Sequence, residues 1–112
     1  MKAVPMPDQR RNALGLVALL AVFVASAQAQ ASPELARSKN CVACHSPERR
    51  MIGPPFRDIA SRYATDASAV ETLSARVIEG TSGNWGQMPM PPQTNLTQEE
   101  AEELVRWILS FR

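Results

Sequence analysis

Histidine occurs once in this chain, cysteine twice and glycine five times. A single histidine removes the multi-histidine metal centres and most hydrolytic acid–base machinery. The few glycines form no phosphate-cradling loop, which removes the nucleotide-binding readings. A basic excess is missing as well. Twelve Lys and Arg stand against eleven Asp and Glu for a net charge of +1, whereas nucleic-acid-binding domains show a strong surplus of positive charge. No segment alternates apolar and polar residues as a half-buried strand does, and there is no internal repeat. At 112 residues the chain suffices for one domain, not two. The scarce reactive residues are concentrated, because both cysteines and the histidine fall within residues 41–45.

A long apolar run is absent too. Lys2, Arg10 and Arg11 give a positive start, residues 13–25 are uncharged and largely apolar, and S-A-Q-A-Q-A follows. Those 13 residues fall short of the ~20 that a spanning helix needs. Positive flank, short apolar stretch and small-residue exit describe a secretory signal peptide rather than an uncleaved anchor. Cleavage is expected after Ala29 or Ala31, which divides the chain into a leader, residues 1–31, and a single domain, residues 32–112. Arg10-Arg11 has poor flanks for twin-arginine export, and no cysteine near the exit offers a site for lipid. The remaining 81 residues carry nine basic and ten acidic side chains, a net charge of −1. A chain of that size makes a thin core and commonly needs a disulfide, a metal or a cofactor as a staple.

The domain reads as short helices joined by Pro-rich loops. Ser32-Pro33-Glu34 suits a helix opening, with Ser32 as N-cap. Residues 46–54 are polar and end in Gly53-Pro54, a loop. Phe56, Ile59, Ala60 and Tyr63 recur as one helical face. Ser68 with Glu71, and Thr97 with Glu100, resemble capping boxes. Val70, Leu73 and Val77 give the helix after Ser68 an apolar side, and Gly80 closes it. Three Gly and three Pro between residues 80 and 96 forbid a regular element there. Ala101, Leu104, Val105 and Ile108 line the last helix, whose acidic start and basic end suit the helix dipole. The class is all-α.

Cys41-Val42-Ala43-Cys44-His45 is the attachment pattern of c-type haem. Two intervening residues let both thiols reach the two vinyl groups on one porphyrin edge, and the adjacent imidazole then projects toward the iron. A thioredoxin-type or simple disulfide pair is the alternative for C-x-x-C, but no βαβ pattern surrounds it. Structural zinc needs four ligands and only three candidates exist. For the iron's other face no second histidine remains, leaving Met, Lys or water. Met51 is too close in sequence to His45 to cross to that face. Met88 and Met90 lie far along the chain, and Pro89, Pro91 and Pro92 restrict the backbone around Met90. Met90 is therefore favoured, and Met88 is read as core filler.

With C-V-A-C-H, G-P at 53–54, W-G-Q-M-P-M-P-P at 85–92 and W-I-L at 107–109, the chain resembles the class I c-type cytochromes of the small c551/c8-like group across the whole domain. The resemblance implies the cytochrome c fold, four to five short helices around one covalent haem c. It implies Cys41 and Cys44 as the thioether links and His45 and Met90 as the axial iron ligands. The Pro54 carbonyl would accept from the imidazole Nδ1–H, and the Trp85 indole would donate to a haem propionate. Arg57 and Arg76 are read as solvated surface rather than as further propionate partners. Asn40 stands where many relatives have Gly, and still tolerates a left-handed turn. Gln93 stands in the neighbourhood where many relatives have an Asn that bonds the Met sulfur. Trp107 is expected to cross the first helix near Leu35-Ala36, where Ala36 is smaller than expected.

The function implied is periplasmic electron transfer by a bacterial carrier, with transient protein redox partners, no enzyme activity, no nucleic acid and a monomeric state. A haem subunit of a larger oxidoreductase or respiratory complex is the alternative. Without its haem the chain is expected to fold poorly.

Overall fold

The protein is described by a computed structural model covering residues 2–6 and 31–111. Most of the segment read as an export leader therefore lies outside the described residues. Four helices follow one another: α1 (Ala31–Ser38), α2 (Phe56–Arg62), α3 (Ala69–Glu79) and α4 (Gln98–Ile108), with a 3-10 turn at Cys41–Ala43 between α1 and α2. Among the described residues the one β-type pairing is an isolated antiparallel bridge between Thr81 and Met90. No helix among them is long and apolar enough to cross a membrane.

Local chemistry explains where the helices begin and end. α4 opens with a complete capping box: Thr97 Oγ1 accepts from the Glu100 N–H at 3.2 Å, and the Thr97 N–H donates to Glu100 Oε2 at 3.0 Å. The two reciprocal bonds satisfy amide donors that have no partner within the helix. Arg106 and Gln98 both donate to the Glu102 carboxylate, one turn away on either side. α3 stops at Gly80, whose φ of 78° ends the helical path.

The two other expected caps are replaced by different bonds. Ser32 does not cap α1. It lies inside the helix, and its hydroxyl donates to Glu103 Oε1 at 3.0 Å, across to α4. Ser68 precedes α3 without a side-chain cap. Its N–H and its hydroxyl both donate to Asp66 Oδ1, at 2.9 and 2.8 Å. An Asx turn thus takes up the serine that a capping box would have used. Those two bonds also hold the Asp66 carboxyl below its ordinary pKa.

α4 is the central element and packs against α1, α2 and α3. Ala36 on α1 and Ala101 on α4 are fully buried in one cluster with Leu96 and Leu104. Small side chains there let the two helices approach closely. The volume that Ala36 does not supply comes from Leu35, Ile78 and Trp107, which pack around the same cluster. Lys39, just past α1, donates to the Asn95 carbonyl at 2.7 Å and pairs with Glu100 at 3.0 Å, tying the end of α1 to the start of α4. A second, aromatic cluster joins α2 to α4. Phe56 lies 5.3 Å from Trp107 and 5.5 Å from Phe111, and the latter two rings meet edge to face at 5.0 Å.

The capping box and the α3 face each lead to a stability test. Thr97→Ala is expected to cost about 1 kcal/mol of unfolding free energy. The Glu100 carboxyl is held low by the Thr97 N–H and then by Lys39. Its contribution is therefore present above its unfolded pKa and fades as pH falls through the lower folded value. Ser74 points the other way, being fully buried on α3 with no partner for its hydroxyl among the described residues. Removing an unsatisfied buried group relieves a desolvation cost. Ser74→Ala should therefore raise stability, by about 1 kcal/mol in denaturant titration.

Candidate functional site

One apolar cleft collects Cys41, Cys44, His45, Pro54, Trp85 and Met90, six residues spread over half the chain. Its walls are Ile52, Ile59, Leu73, Val77, Leu104, Val105 and Ile108, contributed by α2, α3, α4 and the loop before α2. The apolar stripes read from the helical periodicity thus face a groove as much as one another.

The first wall is a tight turn. Asn40 adopts φ 62° and ψ 21°, the left-handed conformation that reverses the chain after α1. The Cys44 and His45 amides then both donate to the Cys41 carbonyl, at 3.2 and 3.0 Å. This turn presents Cys41, Cys44 and His45 to the cleft while Val42 and Ala43 face outward. Both cysteines are free and half-buried. Burial, with a smaller push from Cys44, outweighs a backbone hydrogen bond and raises the Cys41 thiol above its ordinary pKa. That direction is opposite to the lowered thiol pKa of a disulfide exchanger.

His45 is fixed on three sides. Its Nδ1 lies 2.7 Å from the Pro54 carbonyl, which can only accept, so Nδ1 carries the hydrogen and Nε2 keeps its lone pair. The Phe56 ring stacks on it at 5.6 Å and 21°. Gly53 supplies the third constraint. A Cβ there would come within 2.5 Å of Cε1 and 2.8 Å of Nδ1, so the imidazole occupies the space a side chain would need. The Gly53 N–H donates to the Cys44 carbonyl at 2.8 Å, closing the loop back on the cysteine turn.

The second wall carries Met90. Its N–H donates to the Thr81 carbonyl at 2.8 Å, and the Thr81 N–H donates back to the Met90 carbonyl at 3.0 Å. Gly80 makes room for this pairing, since a Cβ on it would lie 2.9 Å from the Pro92 nitrogen and 3.0 Å from the Met90 carbonyl oxygen. The Gln93 N–H then donates to Val77 at 3.1 Å, anchoring the loop to the end of α3. Met90 is half-buried. Met88 is 66% exposed and Met51 is 45% exposed. Met88 is thus a residue of the cleft's outer rim and not core filler, because residues 86–89 run over the surface.

Trp85 is gripped from outside the cleft. The Arg62 guanidinium lies 4.5 Å from its ring centroid, and Arg50 Nη2 donates to its carbonyl at 3.0 Å. Arg57 is surface as expected, paired with Glu48 at 2.7 Å. Arg76 is not. It is half-buried in the cleft wall and donates to the Tyr63 hydroxyl at 2.7 Å. A helical arginine three residues after an apolar cleft residue, Leu73, has this inward option, and the charge pattern alone does not display it.

Thr81, Asn84 and Arg62 join the site without having been singled out in the sequence, and they depend on contacts across loops. Gly53 stood in the G-P landmark, but its place as the cradle of the His45 ring comes from the structure. Among the described residues no group of three or more His, Cys, Asp or Glu side chains could hold a metal ion, which removes the zinc reading. What remains suits a flat apolar cofactor: a greasy cleft with two free thiols, one oriented imidazole over a glycine cradle, and one thioether on the opposite wall.

Comparison with known proteins agrees. Residues 29–112 match the family model for cytochrome c. The chain is 42% identical over 99 residues to cytochrome c-552 of Nitrosomonas europaea, a match covering 88% of this chain and 95% of that protein. It is 37% identical over 97 residues to cytochrome c-551 of Pseudomonas aeruginosa, covering 87% and 92%. The crystal structure of wild-type Nitrosomonas europaea cytochrome c552 superimposes with a TM-score of 0.70 at 41% identity, covering 71% of this chain and 99% of that one. The chain belongs to the class I c-type cytochromes of the c551/c552 group, electron-transfer proteins that carry a covalently bound haem c.

Proposed function

We propose that Cys41 and Cys44 carry the haem as thioethers, that His45 and Met90 take the two axial positions at its iron, and that the protein shuttles single electrons between periplasmic redox partners as a diffusible monomer. The observation that carries this reading is the convergence of those four side chains, drawn from residues 41 to 90, on one apolar cleft. The haem supplies a one-electron ferric–ferrous couple.

The protein's own residues set the conditions for that couple. Cys41 and Cys44 would hold the haem by adding their S–H groups across its two vinyl C=C bonds, sulfur to one carbon and hydrogen to the other, with no net change of oxidation state. The Pro54 carbonyl holds His45 in the tautomer that offers Nε2 and fixes the ring's orientation. Met90 offers a thioether, which raises the reduction potential relative to two nitrogen ligands. Trp85 and the inward-turned Arg76 stand in the cleft wall, where indole N–H and guanidinium suit propionate carboxylates. With His45 and Met90 both held to the iron, no place would remain there for a substrate, which would suit electron transfer rather than catalysis. Export to the periplasm follows from the charged start, short apolar run and A-x-A exit of residues 1–31.

The ferric holoprotein should show the weak long-wavelength sulfur-to-iron charge-transfer band, and Met90→Ala should abolish it and lower the potential. A band that survives the substitution would exclude Met90 as the ligand. Gly53→Ala should force the His45 ring or the loop to move, at a cost of about 2 kcal/mol in holoprotein unfolding. An unchanged unfolding midpoint would show that the cradle is not tight.

A further inference from the structure

Arg62, at the last turn of α2, is exposed and would pass for a solubilising charge. Its guanidinium is instead committed twice. It lies over the Trp85 ring at 4.5 Å, and Nη1 donates to the Asn84 carbonyl at 2.5 Å. Arg50, from the loop before α2, takes the next carbonyl, that of Trp85, at 3.0 Å. Two cations from the cysteine–histidine side of the molecule thus hold consecutive peptide groups of the distal loop. Asn84 passes the restraint on, since its Nδ2 donates to Thr81 Oγ1. Thr81 is the residue whose backbone exchanges two hydrogen bonds with Met90. The loop has little else to hold it. Residues 86–89 are exposed, and a Cβ at Gly83 would touch nothing within 4 Å.

We infer that Arg62, assisted by Arg50, is a positioning residue for Met90: a cation clamp on Asn84 and Trp85 that sets how often the distal loop swings off the cleft. The inference rests on the reading of Met90 as a ligand only for its effect at iron, and its effect on the loop is independent of that reading. Arg62 acts by geometry as well as charge. Its planar fork serves a ring face and a carbonyl together, which the point charge of lysine does less well. Loss of the clamp leaves α4 and its capping box untouched, so the consequence is local opening rather than global unfolding.

The test uses the ferric holoprotein with imidazole as the entering ligand, together with amide hydrogen exchange. Apparent imidazole affinity scales with the fraction of molecules whose loop is open, so Arg62→Met should tighten imidazole binding roughly ten-fold. The Met90 amide should exchange faster by a similar factor while amides within α4 keep their wild-type rates. Arg62→Lys should fall between wild type and Arg62→Met. Arg37→Met, which removes an exposed arginine paired only with Glu34, should change neither readout. Unchanged Met90 amide exchange in Arg62→Met overturns the clamp, and so does acceleration spread evenly through α4. Faster Met90 exchange with unchanged imidazole affinity, or a wild type that lacks the charge-transfer band, leaves the clamp standing and removes Met90 from the iron.

Discussion

Phe56 joins the two halves of the molecule. Its ring is buried to 1% exposure, stacks on His45 at 5.6 Å and meets Trp107 and Phe111 on its other sides. Its amide donates to the Ser46 carbonyl at 2.9 Å, one residue beyond the histidine. The imidazole and the aromatic core are therefore one packed unit. A helix start fixes the ring, and the ring fixes the imidazole plane. The Pro54 carbonyl fixes its rotation, and Gly53 leaves it room. In a domain whose largest fully buried side chains are Phe56, Leu104, Val105 and Ser74, this coupling matters more than bulk. So small a core has no reserve with which to hold the imidazole separately from the core itself.

The opposite wall is built by a different principle. Met90 belongs to none of the helices or aromatic contacts among the described residues. Its backbone is set by a two-bond bridge to Thr81, by the close approach that Gly80 allows, and by the flanking prolines. Proline restricts the chain's own freedom and so lowers the entropy lost on ordering the loop. The bridge supplies a fixed point near the end of α3. Between them they replace the packing that the exposed stretch 86–89 lacks.

Much of this was legible in the sequence because it is local. The C-V-A-C-H turn, the Gly53-Pro54 pair and the Thr97–Glu100 box each involve residues within a few positions of one another, and each is closed by hydrogen bonds that the structure shows. Misreadings arose where a side chain had a competing partner elsewhere. Ser32 chose Glu103, 71 residues away, over its own helix start. Ser68 found Asp66 before Glu71 could matter. Arg76 turned inward to the Tyr63 hydroxyl, which needed both helices in place to be visible. Met88 differs from Met90 by two positions but has proline on one side only. The Thr81 bridge adds that the backbone secures Met90.

The contrast between the walls has a consequence for dynamics. Opening the histidine side requires breaking the Phe56–Trp107–Phe111 cluster and with it the packing of α2 on α4, an event close to global unfolding. Opening the methionine side requires losing the Thr81 bridge and a few surface bonds, while α1, α3 and α4 stay packed. Local stability in proteins follows buried contact and protected hydrogen bonds, so the low-energy excursion of this molecule is movement of residues 81–93. A carrier benefits from that order of events. The cysteine turn keeps the cofactor attached whatever the loop does, and the site recovers by reclosing rather than by refolding.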